Sequence, residues 1–152
     1  AIMKLTVSKL NNFLLFKLPS AFFCGVRVKE IDVNKCVVSV KHRWINQNPF
    51  NSMYFAVQAM AAELSTGALV MFQIAKSGRK ISMLVANNKG NFTKKATGRI
   101  TFTCNDGHLI EKAILETIAT GEGQTFWMKS IGTNETGIQV SEMDFEWSVR
   151  VK

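Results

Sequence analysis

Residues 52–75 read SMYFAVQAMAAELSTGALVMFQIA, and few folds can accommodate such a segment. Its Ala and Met content favours a helix, and Ser52 or Asn51 offers an N-cap. About 24 residues at about 1.5 Å rise would run about 36 Å. Gly67 predicts a bend or break along it. The segment is apolar on nearly every side, so nearly every side must be buried. A bilayer and a protein shell are the two ways to do that. Gln58, Glu63, Ser65, Thr66 and Gln73 are costly in hydrocarbon, and no second span accompanies them. The expectation is a helix enclosed by its own domain, without stable membrane insertion.

The rest of the chain must then supply the enclosure. Its 152 residues suit a single domain, 1–152, large enough to fold without a disulfide or metal staple. Residues 3–17 read as a basic amphipathic helix, with Leu5, Leu10, Phe13, Leu14 and Leu15 on one side, ended by Pro19 and Ser20. It is a helix packed on the domain edge, or else a lid or membrane-surface helix. Residues 26–33 and 36–43 form a predicted hairpin around Asn34-Lys35, and 45–51 are irregular. Strands are predicted at 81–86, 91–97 and 99–105, punctuated by Asn87-Asn88, Gly90 and Gly98. A helix over 109–120 begins near Asp106 or His108 and stops at Gly121. Residues 125–131 and 138–151 read as two long strands split by a turn-rich 132–137. The order implies an α+β domain: one strongly curved antiparallel sheet around one long helix.

Composition narrows function by exclusion. Hydrophobic residues at 47% and charged residues at 20% rule out a disordered chain. Nineteen Lys and Arg against eleven Asp and Glu leave +8, which suits a polyanionic partner or simple solubility. Without the basic-aromatic pattern of an RNA-binding sheet, nucleic acid is not the expected partner. Cys24, Cys36 and Cys104 include no CxxC pair, and His42 and His108 lack metal-ligand spacing, so neither a metal nor another cofactor is expected. The cysteines read as small buried residues in a reducing compartment. The N-terminus lacks the basic, apolar and small-residue succession of a secretory signal, and a cytoplasmic protein is expected.

The residues Asn48-Pro49-Phe50-Asn51-Ser52-Met53-Tyr54-Phe55-Ala56-Val57-Gln58-Ala59-Met60-Ala61-Ala62-Glu63, with Asn91-Phe92-Thr93-Lys94-Lys95-Ala96-Thr97-Gly98-Arg99, resemble the hotdog superfamily of thioesterases. The likeness is to a branch with an extra N-terminal helix. It makes residues 1–20 an extension and 22–151 the hotdog core. In the phenylacetate-type members an Asn precedes the long helix and an acid lies fifteen positions later, a spacing that Asn48 and Glu63 match. The resemblance implies that helix N-terminal amides polarise a thioester carbonyl, while the carboxylate attacks it or activates water. The two parts usually come from opposite subunits, which implies a homodimer, or two dimers paired as a tetramer. Phe55 stands where the family has a glycine, so only its backbone amide would act. Ser82 lies near a position that assists some members. Tyr54-Phe55-Ala56 replaces the family's His-Gly-Gly, and Tyr54 would contribute a hydroxyl to substrate or simply pack.

Each of these residues also has a plainer reading. Glu63 could be a structural acid bonded to neighbouring backbone or to Ser65 and Thr66, and Asn48 a turn residue. Lys94, Lys95 and Arg99 would meet the phosphates of coenzyme A or protect a solvated strand edge. Trp44, Trp127 and Trp147 would pack in the core or a dimer interface. The function so implied is an acyl-thioester hydrolase acting on acyl-coenzyme A or another acyl thioester. The alternative is a non-catalytic hotdog module that binds an acyl chain or acyl-coenzyme A.

Overall fold

A computed structural model describes residues 4–152; the predicted helix start at Met3 lies outside the described residues. The long apolar segment is helix α3, Phe55–Ser77. Two short helices, α1 (Val7–Lys17) and α2 (Pro19–Phe23), precede it, and α4 spans Gly107–Thr120. Strands β1 (Arg27–Ile31), β2 (Cys36–Lys41), β3 (Ile81–Phe92), β4 (Arg99–Cys104), β5 (Gln124–Thr133) and β6 (Gln139–Val151) form one sheet. Its order is β1-β2-β4-β5-β6-β3, with every pairing antiparallel.

Alternation along the strands creates the concave face. Val38 and Val40 of β2, Ile100 and Phe102 of β4, and Phe145, Trp147 and Val149 of β6 are buried with Ala61, Ala62, Leu69 and Val70 of α3. Three buried polar residues of α3, Ser65, Thr66 and Gln73, find partners that answer the cost of burying them. Ser65 Oγ lies 2.7 Å from Ser130 Oγ on β5. Trp147 Nε1 donates to Thr66 Oγ1 at 2.9 Å, and Gln73 Nε2 donates to the Val33 carbonyl at 2.7 Å. A helix long and apolar enough to cross a membrane is thereby a core helix.

Gly67 neither bends nor breaks α3. A Cβ there would come within 3.0 Å of the Trp147 ring, so the glycine lets the sheet approach closely. The N-cap is Tyr54, without a side-chain bond, rather than Ser52 or Asn51. The strands predicted at 81–86 and 91–97 also differ. Residues 81–92 are one strand with a bulge at Ala86, and Asn87, Asn88 and Gly90 pair with Glu146, Phe145 and Met143. The long β6 ladder holds residues that would otherwise favour a turn, and Asn87 Nδ2 donates to Glu146 Oε1 at 2.8 Å. Thr93–Gly98 is the connection to β4.

The first hairpin forms as expected, its turn fixed by Asp32 Oδ1, which accepts from the amides of Asn34 and Lys35. Pro19 starts α2 as well as following α1. Helix α1 buries Leu10 and Leu14 and lies on the sheet edge, where Asn11 exchanges two hydrogen bonds with the Val28 backbone. Cys36 and Cys104, opposite one another on β2 and β4, are buried free thiols. Burial pushes both up to about 12, which makes them unreactive; Cys24 is half-buried. Of the tryptophans only Trp147 is core: Trp44 is 83% exposed and Trp127 is also exposed.

Candidate functional site

The start of α3 is fixed by two asparagines. The buried Asn46 donates from Nδ2 to the carbonyls of Cys24 and Lys41, and its Oδ1 accepts the Arg43 amide at 2.8 Å. Asn48 closes the next loop. Its Oδ1 accepts from the amides of Phe50 and Ser52, and its Nδ2 donates to Ser52 Oγ and the Met53 carbonyl. Asn51 takes the left-handed conformation, φ 58°, which Asn tolerates better than most residues. Met53 then donates to the Ala96 carbonyl, and Tyr54 to that of Asn46.

Helix α3 therefore begins at a fixed point with no capping side chain. The first amides of a helix lack intrahelical acceptors and form its positive end. A cavity of about 370 Å³ lies beside this start of the helix, walled by Asn48, Ser52, Phe55, Gln58, Thr93, Lys94 and Lys95, among others. Lys95 Nζ donates to the Phe50 carbonyl at 3.1 Å across one rim. Gln58 is only 4% exposed, and its Oε1 has no hydrogen-bond partner.

Glu63 occupies a different place. Eight residues beyond Phe55, it lies about 12 Å further along the helix. It borders a cavity of about 240 Å³ between α3 and the α1–α2 joint, with Lys17, Leu18, Ser20 and Met60 among its neighbours. Burial holds its carboxyl above the ordinary carboxylate range. Thr66 Oγ1 donates to the Glu63 backbone carbonyl, and no salt bridge reaches the carboxylate among the described residues. A Cβ at Gly67 would lie 3.3 Å from Glu63 Oε1.

The expected site residues thus divide. Asn48, Phe55, Lys94 and Lys95 share the cavity at the start of α3; within one chain Glu63 lines the other. Tyr54 is exposed, its ring edge-on to Phe55, and lines neither. Arg99 also lines neither; its Nη1 donates to Ser39 Oγ and its amide to Glu135 Oε1. Ser82 sits near the far end of α3 on the exposed side of β3, donating to the Arg150 carbonyl. Gln58 is the polar residue that the sequence did not single out for the site; its signal was a lone amide within an apolar turn. Among the described residues no three His, Cys, Asp or Glu side chains gather as metal ligands.

A family model described as "Domain of unknown function (DUF4442)" matches residues 8–149. The chain belongs to the DUF4442 family. No curated protein matches this DUF4442 sequence. Its fold does match solved structures. A Pseudomonas aeruginosa protein of unknown function, described as a probable thioesterase, is 22% identical over 100% of both chains, with a TM-score of 0.82. A Chlorobaculum tepidum protein of unknown function is 13% identical over 96% of this chain and 94% of its own, with a TM-score of 0.84. A Haemophilus influenzae thioesterase is 12% identical over 99% and 94%, with a TM-score of 0.76. The DUF4442 domain has the hotdog fold, as the sequence resemblance implied.

Proposed function

We propose that this DUF4442 protein hydrolyses acyl thioesters as a homodimer. The observation that carries the reading is Glu63, a desolvated carboxylate beside a cavity with no ion pair to account for its burial. In the proposed reaction, α3 amides of one copy, including that of Phe55, bind the thioester carbonyl oxygen. Glu63 of the other copy takes a proton from water. The water oxygen adds to the carbonyl carbon and its π pair moves onto the oxygen, where amides and helix dipole stabilise it. Collapse expels the thiolate, which takes up the proton, and leaves a carboxylic acid and a thiol. Direct attack by Glu63 through an anhydride, then hydrolysed, gives the same products. Acyl-coenzyme A is the proposed substrate, with Lys94 and Lys95 supplying positive charge at the rim of the first cavity. The three free cysteines suit a cytoplasmic, reducing setting.

A panel of acyl thioesters tests this. Glu63→Gln should fold and lose about 10²-fold or more in turnover, the scale of general-base catalysis. One observation favours the second reading, a binding module without turnover: Asn48 spends its side-chain amide within its own loop. Thioester binding with no hydrolysis by the wild type would decide for that module.

A further inference from the structure

Trp44 and Phe16 are the two most exposed large apolar side chains among the described residues, at 83% and 76%. Phe16 ends α1 beside the exposed Leu18, and the exposed Phe23 closes α2. The turn at Trp44–Asn46 is tied to the same place. Asn46 Nδ2 donates to the Cys24 carbonyl at 3.0 Å, and the Arg43 guanidinium lies over Gly25, so the turn carrying the exposed Trp44 and Ile45 adjoins Phe23. Helix α2 has only five residues, about 7.5 Å, so joint and turn make one surface. Contiguous exposed apolar groups of this kind mark a binding face. Its charge is one-sided. The first 62 residues hold eight Lys and Arg against Glu30 and Asp32 alone, six of the net +8. Both acids serve the hairpin turn at the other end of β1, where Glu30 pairs with Lys35 and Asp32 holds two turn amides. Lys17, Arg27, Lys41 and Arg43, set among the apolar side chains, have no salt bridge among the described residues. Arg27 lies 3.7 Å over the Phe22 ring. Burial and then the nearby Arg43 lower its pKa, so two guanidiniums stand close enough to repel. Two copies of this surface would repel as well. The partner must offer anions above an apolar layer, which an anionic bilayer does: headgroup phosphates attract the cations, and aromatic side chains settle at the acyl boundary.

We infer that this surface docks the protein reversibly on an anionic lipid bilayer, with Phe16, Leu18, Phe23, Trp44 and Ile45 entering the boundary between headgroups and acyl chains and the four cations meeting lipid phosphates. The contact is peripheral, and α3 stays in the core. Lys17 and Leu18 also wall the cavity beside Glu63, so docking holds that cavity near the lipid. Meeting acyl substrates there rests on the proposed hydrolase; the docking surface does not.

Cosedimentation of the full chain with vesicles tests this, using phosphatidylcholine mixed with phosphatidylglycerol and phosphatidylcholine alone. Binding should require phosphatidylglycerol and fade as salt rises. Phe23→Ser with Trp44→Ser should weaken it by at least about tenfold, the scale of one buried aromatic. Lys17→Gln with Lys41→Gln should weaken it about fivefold per charge. Lipids brominated on their acyl chains should quench the tryptophan emission. Trp44→Phe keeps an aromatic anchor, so it should bind yet lose most of that quenching, since Trp147 is core and Trp127 belongs to β5. No binding to phosphatidylglycerol vesicles at low salt, equal binding to phosphatidylcholine alone, serine variants that bind like wild type, or unchanged quenching in Trp44→Phe overturns the inference. Sedimentation without lipid covers the other occupant: a dimer that the serine pair dissolves, with vesicle binding kept, assigns the surface to a second copy and overturns it too. The altered side chains are exposed, so melting points should stay near that of wild type; if the serine pair does not fold, the lysine pair and Trp44→Phe decide. Vesicle binding without turnover of any thioester would reject the hydrolase and keep the docking surface. Turnover without vesicle binding would do the reverse.

Discussion

In the proposed mechanism, Glu63 should make activity and stability run in opposite directions with pH. Burial raises its folded-state pKa above the unfolded value of about 4.3. The folded chain therefore binds the extra proton between the two values, and stability falls as pH rises through that window. The contribution is complete below the unfolded pKa and gone above the folded one. The proposed turnover needs the ionised form and should climb over the same interval. Melting curves across that range should show Glu63→Gln less pH-sensitive than wild type, with no rise in its activity. The Phe55 amide is open to a gentler substitution. Tyr54 has φ −60° and ψ 134°, the conformation favoured before proline, and proline is well accepted at the first helical position. Phe55 is also 56% exposed. Phe55→Pro should thus keep the fold, delete one N–H and lower turnover about 10²-fold, the usual cost of one oxyanion donor. Asn48→Ala should instead destabilise the fold by about 1–3 kcal/mol for the loop groups it strands, read as a lower melting point. Glu63 was legible in the sequence because an acid is conspicuous in an apolar helix. Gln58 was not, since Gln73 looks the same in one dimension and proves to be bonded to Val33.

Helix α3 and β6 meet at Gly67 and Trp147, and their contact sets the spacing between helix and sheet. An alanine in a helix ordinarily gains about 1 kcal/mol over glycine. At Gly67 the new methyl would press on a ring already held by its bond to Thr66. Gly67→Ala should therefore destabilise by about 1–3 kcal/mol, the range for overpacking, and denaturant titration will give the sign. Local chemistry predicted elements well where it was self-contained, as in the hairpin around Asn34-Lys35 and the Gly121 stop of α4, at φ 76°. It failed for β3. Asn87, Asn88 and Gly90 resemble a turn in sequence, and only the partner strand some 55 residues away makes them a ladder.

At the scale of the molecule, the proposed dimer gives a test that neither half-site gives alone. Glu63→Gln and Phe55→Pro should each be nearly inactive. If helix start and carboxylate come from different copies, subunits mixed and allowed to exchange should recover activity at about a quarter of the sites. Lack of recovery, with exchange confirmed by mass spectrometry, would place both parts in one chain or neither in catalysis. Sedimentation at micromolar concentration should show a dimer. The α+β architecture was readable because one segment had to be enclosed and only the remaining strands could enclose it. The separation of Asn48 and Glu63 into two cavities of one chain accords with the resemblance, which takes the two parts from opposite subunits; residue spacing alone does not record which side of α3 each meets. The strand order carries one more consequence, for synthesis. Strand β3 pairs with β6, and Ile81 has Val151 opposite it. A ribosome adding about 5–20 residues per second completes β3 several seconds before its partner exists. Until then, one flank of the sheet is missing beside the most apolar helix in the chain, and this is when a nascent copy would be most dependent on chaperones.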